Sequence, residues 1–445
     1  MTHTIAIVGS GPSGFYAAEH LMKTRPGLKV DMFDRLATPY GLVRIGVAPD
    51  HQGTKNVWRV FQRTAKRPEM RFLGDVELGR DLSLAELKQH YDAVVLAIGA
   101  PIDRALGIPG EHLHGVLTSQ ELSGWYNGHP DFSARHPDLA GCLAASGGVA
   151  VIGQGNVAVD VVRVLGRVAH EMTKTDLPAY ASDRINQAPI KDIYMIGRRG
   201  PGEAAFTPVE LRELGDMAET VAVVDGAQLP ESISASDPKD QKLKDKILEI
   251  LRGYSQNDPS VVERGSKRAR LHIVFYSAPH EILGEDGRVK KLVLKKTKVE
   301  GGKAVETGET WTLDVGIVVK AIGYHVKPLA GLEVPKGATS YPNQGGRVGD
   351  GVWAVGWAKR GPSGVIATNR QDSIDVMNKL LEELPAAPKA DPRPAIDAAL
   401  AERGVKVVTF TDWEKIEKVE AERAKDGAPR CKVTDWDELR SLARG

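Results

Sequence analysis

Cysteine is nearly absent: the 445 residues include two, Cys142 and Cys431, far apart and outside any motif. That excludes a CxxC redox couple, a cysteine-ligated iron–sulfur cluster and a disulfide scaffold within the chain. Charge of a dominant sign is missing too. With 59 Lys and Arg against 58 Asp and Glu, net charge is +1, so no global field selects nucleic acid or a membrane surface, and recognition by charge must come from local patches. No apolar run reaches the roughly 20 residues needed to span a bilayer. No basic stretch with an apolar core precedes Thr4, so no signal peptide is expected and a cytoplasmic location is the default expectation. Repeats and low-complexity tracts are absent as well.

What the chain does have is glycine at two telling places. Gly9-Ser10-Gly11-Pro12-Ser13-Gly14 and Gly153-Gln154-Gly155-Asn156-Val157-Ala158 each follow an apolar, β-branched run and open a helical pattern. Only glycine lets backbone approach a pyrophosphate at a helix N-terminus. Two such loops predict two dinucleotides held in one protein, and the usual reason to hold two is to pass electrons between them.

Around the first loop, Thr4–Val8 reads as a strand buried on both faces. The following helix carries Phe15, Ala18, Leu21 and Met22 on one face. Lys29–Phe33 is the next strand and ends in Asp34, an acid placed to accept hydrogen bonds from a ribose. NAD and FAD share this pattern. The far end of the chain favours a flavin. There Gly351–Trp357 reads as a strand, and Arg360-Gly361-Pro362-Ser363-Gly364-Val365-Ile366 opens a helix whose N-terminus can stabilise negative charge on a reduced ring system.

The second loop is the GxGxxA variant. An NAD site would end its next strand in an acid. Asp192–Gly197 ends instead in Arg198-Arg199, and paired guanidiniums fit a 2′-phosphate that a carboxylate would repel. This predicts NADP(H).

The apolar strands Ala93–Ile98 and Gly316–Ile322 each stop at a glycine and mark chain crossings. The expected architecture is α/β, with two Rossmann-like dinucleotide-binding domains, the NADP domain inserted into a discontinuous FAD domain. The expected boundaries are 1–105 for the first part of the FAD domain, 106–320 for the NADP domain and 321–384 for the second FAD part. Residues 385–445 are expected to be a proline-rich linker and a partly helical C-terminal extension without an interpretable motif.

Several segments together carry a specific likeness. They are Val8–Tyr16, Pro39-Tyr40-Gly41-Leu42-Val43-Arg44-Ile45-Gly46-Val47-Ala48-Pro49-Asp50-His51, Gly124–Gly128, Gly153–Val161, Gly197–Pro201 and Trp357–Ile366. Over residues 3 to 384 the chain resembles the adrenodoxin-reductase-like family of ferredoxin–NADP reductases. The resemblance implies FAD on the outer domain and NADP(H) on the inserted one. It implies hydride transfer between the two, and single electrons passed to or from a ferredoxin-type iron–sulfur protein or a flavodoxin. Flavin contacts implied by motif are Gly9, Gly11, Ser13, Gly14, Asp34, Leu42, Val76, Trp357, Gly364, Val365 and Ile366. Asp34 stands where the family commonly has glutamate. Implied NADP contacts are Gln154, Gly155, Asn156, Val157, Arg198, Arg199 and Glu210. His51 and Glu213 match family positions at the flavin–nicotinamide contact, with either a catalytic or a structural hydrogen-bonding role; no metal is implied.

A ferredoxin is acidic, so its reductase needs a basic surface. Arg59, Arg63, Lys66 and Arg67 after His51, and Lys242, Lys244, Lys246, Arg264, Lys267, Arg268 and Arg270 in the inserted domain, are candidates. A solvated face balanced by acids such as Asp245 and Glu249 is the plainer reading of any one of them. Two other functions stay open at this level: an NADPH diaphorase or electron-feeding subunit, and a non-catalytic flavin- or NADP-binding sensor.

Overall fold

The computed structural model of the protein describes residues 2–235, 237–425 and 427–444. Two six-stranded sheets organise it. The first runs Arg347–Gly349, Val352–Ala354, Ala93–Leu96, Thr4–Val8, Lys29–Phe33, Met70–Leu73 in spatial order. All its pairings are parallel except that of the outer two strands. Its central strands are buried along their whole length, which is why they read as unbroken apolar runs.

The second sheet runs Val116–Thr118, Ile317–Lys320, Gly148–Ile152, Asp192–Ile196, Ala269–Val274, Thr220–Val224 and is wholly parallel. The fold is therefore α/β with two Rossmann-like domains, the second inserted into a discontinuous first. Where the chain passes between them, Ile102–Asp103 pairs antiparallel with Tyr324–His325, so entry and exit lie side by side.

A three-stranded antiparallel ribbon, Ser277–Glu285, Arg288–Glu300 and Lys303–Asp314, was not foreseen from sequence. Its inner side chains, Ile282, Val289, Leu292, Leu294 and Leu313, pack with Ala150, Ile152 and Val318 of the second sheet. The alternation that marks such a strand is blurred in Arg288–Glu300 by paired lysines at 290–291 and 295–296.

The proline-rich stretch is pinned rather than hanging free. Pro385 O is 2.7 Å from His3 Nε2, and Lys389 N donates to Asp92 Oδ1 at 2.8 Å. Beyond it come the helices Arg393–Glu402, Phe410–Glu422 and Trp436–Arg444. They belong to the core of the first domain: Phe410, Trp413, Ile416, Val433 and Leu439 are buried with Phe15, Tyr40, Phe61 and Phe72. Gly74 and Val408 exchange backbone hydrogen bonds at the outer strand end.

Two buried ionic contacts fasten this extension. Glu420, fully buried, accepts from Arg44 Nη1 at 2.9 Å and from Val433 N at 2.8 Å. Burial works against the Arg44 charge, but the Glu420 carboxylate more than offsets it and the Arg44 pKa is raised. Lys432 Nζ donates to the carbonyls of Arg44 and Asn127 at 3.0 and 2.9 Å and lies 2.9 Å from Asp176 Oδ2, which Lys55 also meets at 2.7 Å through Oδ1. One side chain from the extension thus ties both domains.

Candidate functional site

Both glycine loops sit at the carboxyl end of a parallel strand, where α/β sheets bind ligands. Gly9 has φ +108° and Gly153 has φ +133°, conformations that favour glycine. A Cβ at Gly9 would collide with the Ala97 carbonyl, and one at Gly153 with the Ala321 carbonyl. These glycines let each loop fold tightly against the neighbouring strand. Gly11 and Gly155 are different: a Cβ there would meet nothing within 4 Å. They are the N-caps of the helices Pro12–Thr24 and Asn156–Gly166, which have no side-chain cap. Each helix thus presents uncapped N–H groups and positive dipole to open space, as a pyrophosphate requires.

Asp34 is half-buried and already engaged. Its Oδ2 accepts from Ser10 N at 2.8 Å and Ser10 Oγ at 2.5 Å, and its Oδ1 accepts from Leu36 N at 2.9 Å. A carboxylate has about four acceptor directions, so one remains for a ribose hydroxyl while three hold the loop. Val76 is buried behind it, and its N–H donates to the Asp34 carbonyl at 2.9 Å.

The segment expected as a strand through Trp357 is shorter. The strand is Val352–Ala354, and Trp357 opens a short helix, Trp357–Arg360. Its indole Nε1 donates to Ser363 O at 3.1 Å and its ring lies against Tyr324. The long helix begins at Ile366 and runs to Glu383 against the first helix, where Ser373 Oγ donates to Ser13 O at 3.0 Å. Leu42 and Val365 are 46% and 51% exposed, in a protein whose large apolar side chains are mostly buried. Apolar groups left open beside a dinucleotide loop fit a flat aromatic cofactor.

At the second loop, Gln154 is turned inward and its Nε2 donates to Val274 O at 2.9 Å. Asn156 Oδ1 is buried with no hydrogen-bond partner, the signature of a polar atom awaiting one. Among the described residues neither Arg198 nor Arg199 forms an ion pair; Arg199 Nη2 reaches the Glu203 carbonyl at 3.4 Å. Glu210 heads the helix Pro208–Glu213 in a capping box with Thr207. Burial, reinforced by the Asp160 charge, raises its pKa.

The two halves meet at His51. Its Nε2 is 2.7 Å from Glu213 Oε2 and its Nδ1 is 3.7 Å from Asp160 Oδ1. Arg163, wholly buried, donates to Asp50 through Nε at 2.6 Å and Nη2 at 3.1 Å, donates to Asp160 at 2.7 Å, and lies 3.2 Å from Glu213. Arg167 reaches Asp50 at 3.1 Å. Burial opposes the His51 charge, but the Glu213 hydrogen bond prevails and lifts its pKa above 6.5. Glu213 is lowered against burial by the same contact, whereas burial raises Asp160. The sequence brought out His51 and Glu213 but missed Arg163, although it lies one turn beyond Asp160.

The basic candidates divide. Arg264, Arg270, Lys267 and Arg268 are spent within the fold, on Asp258, on Asp192 and Glu263, on Ala218 O, and on the Ile185 and Ala188 carbonyls. Lys66 pairs with Glu414, Arg67 with Glu69 and Lys244 with Asp240. Arg59, Arg63, Lys242 and Lys246 are exposed with no carboxylate partner among the described residues. Elsewhere, His114, Asp138 and Cys142 bring ligand-type atoms within 4.8 Å of one another. Arg288 Nη1 already bonds Asp138 at 3.0 Å and approaches Cys142 Sγ at 3.9 Å, so a cation holds that place.

Two glycine loops at the ends of parallel strands, one followed by Asp34 and the other by Arg198-Arg199, fit an oxidoreductase that uses FAD and NADP(H). Residues 3–188 match the family model described as pyridine nucleotide-disulphide oxidoreductase. The chain is 39% identical to the NADPH-ferredoxin reductase FprA of Mycobacterium leprae, covering 100% of this chain and 99% of that protein. It is 39% identical to the mitochondrial NADPH:adrenodoxin oxidoreductase of Arabidopsis thaliana, covering 99% and 95%. The solved structure of Mycobacterium tuberculosis FprA in complex with NADPH superposes with a TM-score of 0.92 at 37% identity, over 100% of both chains. The chain belongs to the NADPH-ferredoxin and adrenodoxin reductase family.

Proposed function

We propose that this protein is an FAD-dependent ferredoxin–NADP(+) reductase, exchanging a hydride with NADP(H) and single electrons with a ferredoxin-type iron–sulfur protein. The observation that carries it is the inequality of the two loops: one ends its unit in Asp34, the other in two arginines that have no carboxylate partner among the described residues. Residues 1–105 and 321–384 would hold FAD and 106–320 NADP(H). Two cysteines without a disulfide partner suit a reducing compartment such as the cytoplasm.

FAD, when bound, supplies the conversion between two-electron and one-electron chemistry. The protein's part is binding and alignment. The helix from Pro12, with Gly9, Gly11, Ser13 and Gly14, would neutralise the flavin pyrophosphate, and the helix from Ile366, with Gly364 and Val365, would face the ring. Leu42 and Trp357 would flank it, and Asp34, braced by Val76, would take a ribose hydroxyl. Gln154 to Val157 would carry the NADP pyrophosphate, Arg198 and Arg199 the 2′-phosphate, and Glu210 the approach to the nicotinamide. His51 and Glu213 would hold a hydrogen-bonded pair where the two rings meet; hydride transfer depends on such alignment more than on an acid or base.

Mixing the anaerobic, flavin-loaded protein with NADPH is expected to bleach the flavin absorbance within seconds. An oxidised spectrum that persists overturns the reading. Arg59, Arg63, Lys242 and Lys246 offer free positive charge to an acidic partner. Ferredoxin-dependent cytochrome c reduction should therefore weaken as salt rises. An apparent KM for ferredoxin that ignores salt would remove these residues from docking.

A further inference from the structure

Among the described residues the Arg198 side chain has no hydrogen-bond partner and that of Arg199 has one long contact, to the Glu203 carbonyl at 3.4 Å, so the position of the guanidiniums depends chiefly on the backbone beneath them. That backbone is fastened from the three-stranded ribbon and from Tyr276, the residue just before it. Thr297 Oγ1 donates to Arg198 O at 2.8 Å, and Tyr276 N donates to Arg199 O at 3.1 Å. The two fasteners are joined, because Thr297 N donates to Tyr276 O at 2.8 Å. Thr297 is buried and sits where the register of the ribbon shifts, between Lys295 and Thr297. A β-bulge of this kind re-aims a side chain. Tyr276 has φ +51°, an uncommon conformation for a residue with a bulky side chain. Its ring lies against Gly200, where a Cβ would collide with the phenol oxygen. Strain of this sort persists only where surrounding contacts impose it, and it gathers at functional sites.

We infer that Thr297 and Tyr276 are positioning residues for recognition of the NADP 2′-phosphate, acting through the carbonyls of Arg198 and Arg199. The inference rests on the NADP reading of that arginine pair. It gives a purpose to the ribbon, which lies outside both dinucleotide folds yet sets the loop that separates NADPH from NADH. Thr297→Val keeps the side-chain shape and deletes one hydroxyl, leaving the Arg198 carbonyl without its donor.

The test compares steady-state KM values for NADPH and NADH in the flavin-loaded wild type, T297V, T297S and R198A. The expected result for T297V is a rise of about tenfold in KM for NADPH, the effect of one lost buried hydrogen bond, with KM for NADH and kcat unchanged. T297S, which restores the hydroxyl, should recover the wild-type ratio. A general loosening of the fold would move both coenzymes together, so equal shifts in T297V overturn the inference, as does an unchanged ratio. R198A separates this failure from a deeper one. If R198A alters NADPH selectively while T297V does not, the bracing role is wrong; if R198A alters neither coenzyme selectively, the NADP assignment of the arginines is wrong.

Discussion

Replacing Arg198 by alanine is expected to raise the KM for NADPH by roughly ten- to a hundredfold, since a charge-assisted hydrogen bond is worth about 1.5–3 kcal/mol. NADH lacks the 2′-phosphate, so its KM should stay near the wild-type value. The R198A/R199A double variant should lose most discrimination between the coenzymes. Arg198 is exposed, and among the described residues neither arginine forms an ion pair. Its removal therefore orphans no internal partner, and the loss is confined to binding. A lysine at either position keeps the charge but not the planar fork, and should recover part of the effect. Equal changes for NADPH and NADH would show that these arginines do not read the phosphate.

The second large effect concerns stability. Glu420→Ala should cost about 3–5 kcal/mol, the range for breaking a buried pair from one side. Arg44 would be left charged and fully buried, with its nearest carboxylate gone. Val433 N would lose its acceptor as well. Denaturant unfolding followed by intrinsic fluorescence checks this, because Trp413 lies under the Arg44 guanidinium at 4.9 Å. Removing both partners, as in R44M/E420L, should cost less than E420A alone, since the buried Arg44 charge is then not stranded and Arg430, which also meets Glu420 at 3.4 Å, keeps Glu417. An E420A variant within about 1 kcal/mol of wild type would show that water reaches Arg44 and that the pair is not a fastening of the extension.

The glycine loops were legible in the sequence because their physics is local. Strand, turn and helix follow one another within some twenty residues, and Gly9 and Gly153 adopt the conformations that pattern demands. The place of the arginine pair just after the strand Asp192–Ile196 is local in the same way. His51 and Glu213 came only through family likeness, since 162 positions separate them before the fold brings them to 2.7 Å. The Arg44–Glu420 contact, spanning 376 positions, left no mark in composition or periodicity. Arg163 could have been suspected from its i,i+3 relation to Asp160, but its burial depends on Asp50 arriving from the other domain. Asp34 is the instructive case: it follows the strand Lys29–Phe33 as the pattern expects, yet its shorter side chain turns to Ser10 and Leu36 and spends most of its acceptor capacity on the loop itself.

The contacts of Lys432 also fix an order of assembly. Its ammonium meets backbone at residues 44 and 127 and the carboxylate of Asp176, so these contacts across the domain junction form only once Lys432 has left the ribosome. The second sheet draws all its strands from the continuous stretch between Val116 and Lys320, so its pairings need no residue beyond that stretch. The first sheet, though it contains the N-terminus, must wait for Val352–Ala354 to flank Ala93–Leu96 and for Val408 to reach Gly74. Domains on a nascent chain usually fold from the N-terminal end; here the domain that begins the chain is the one completed last.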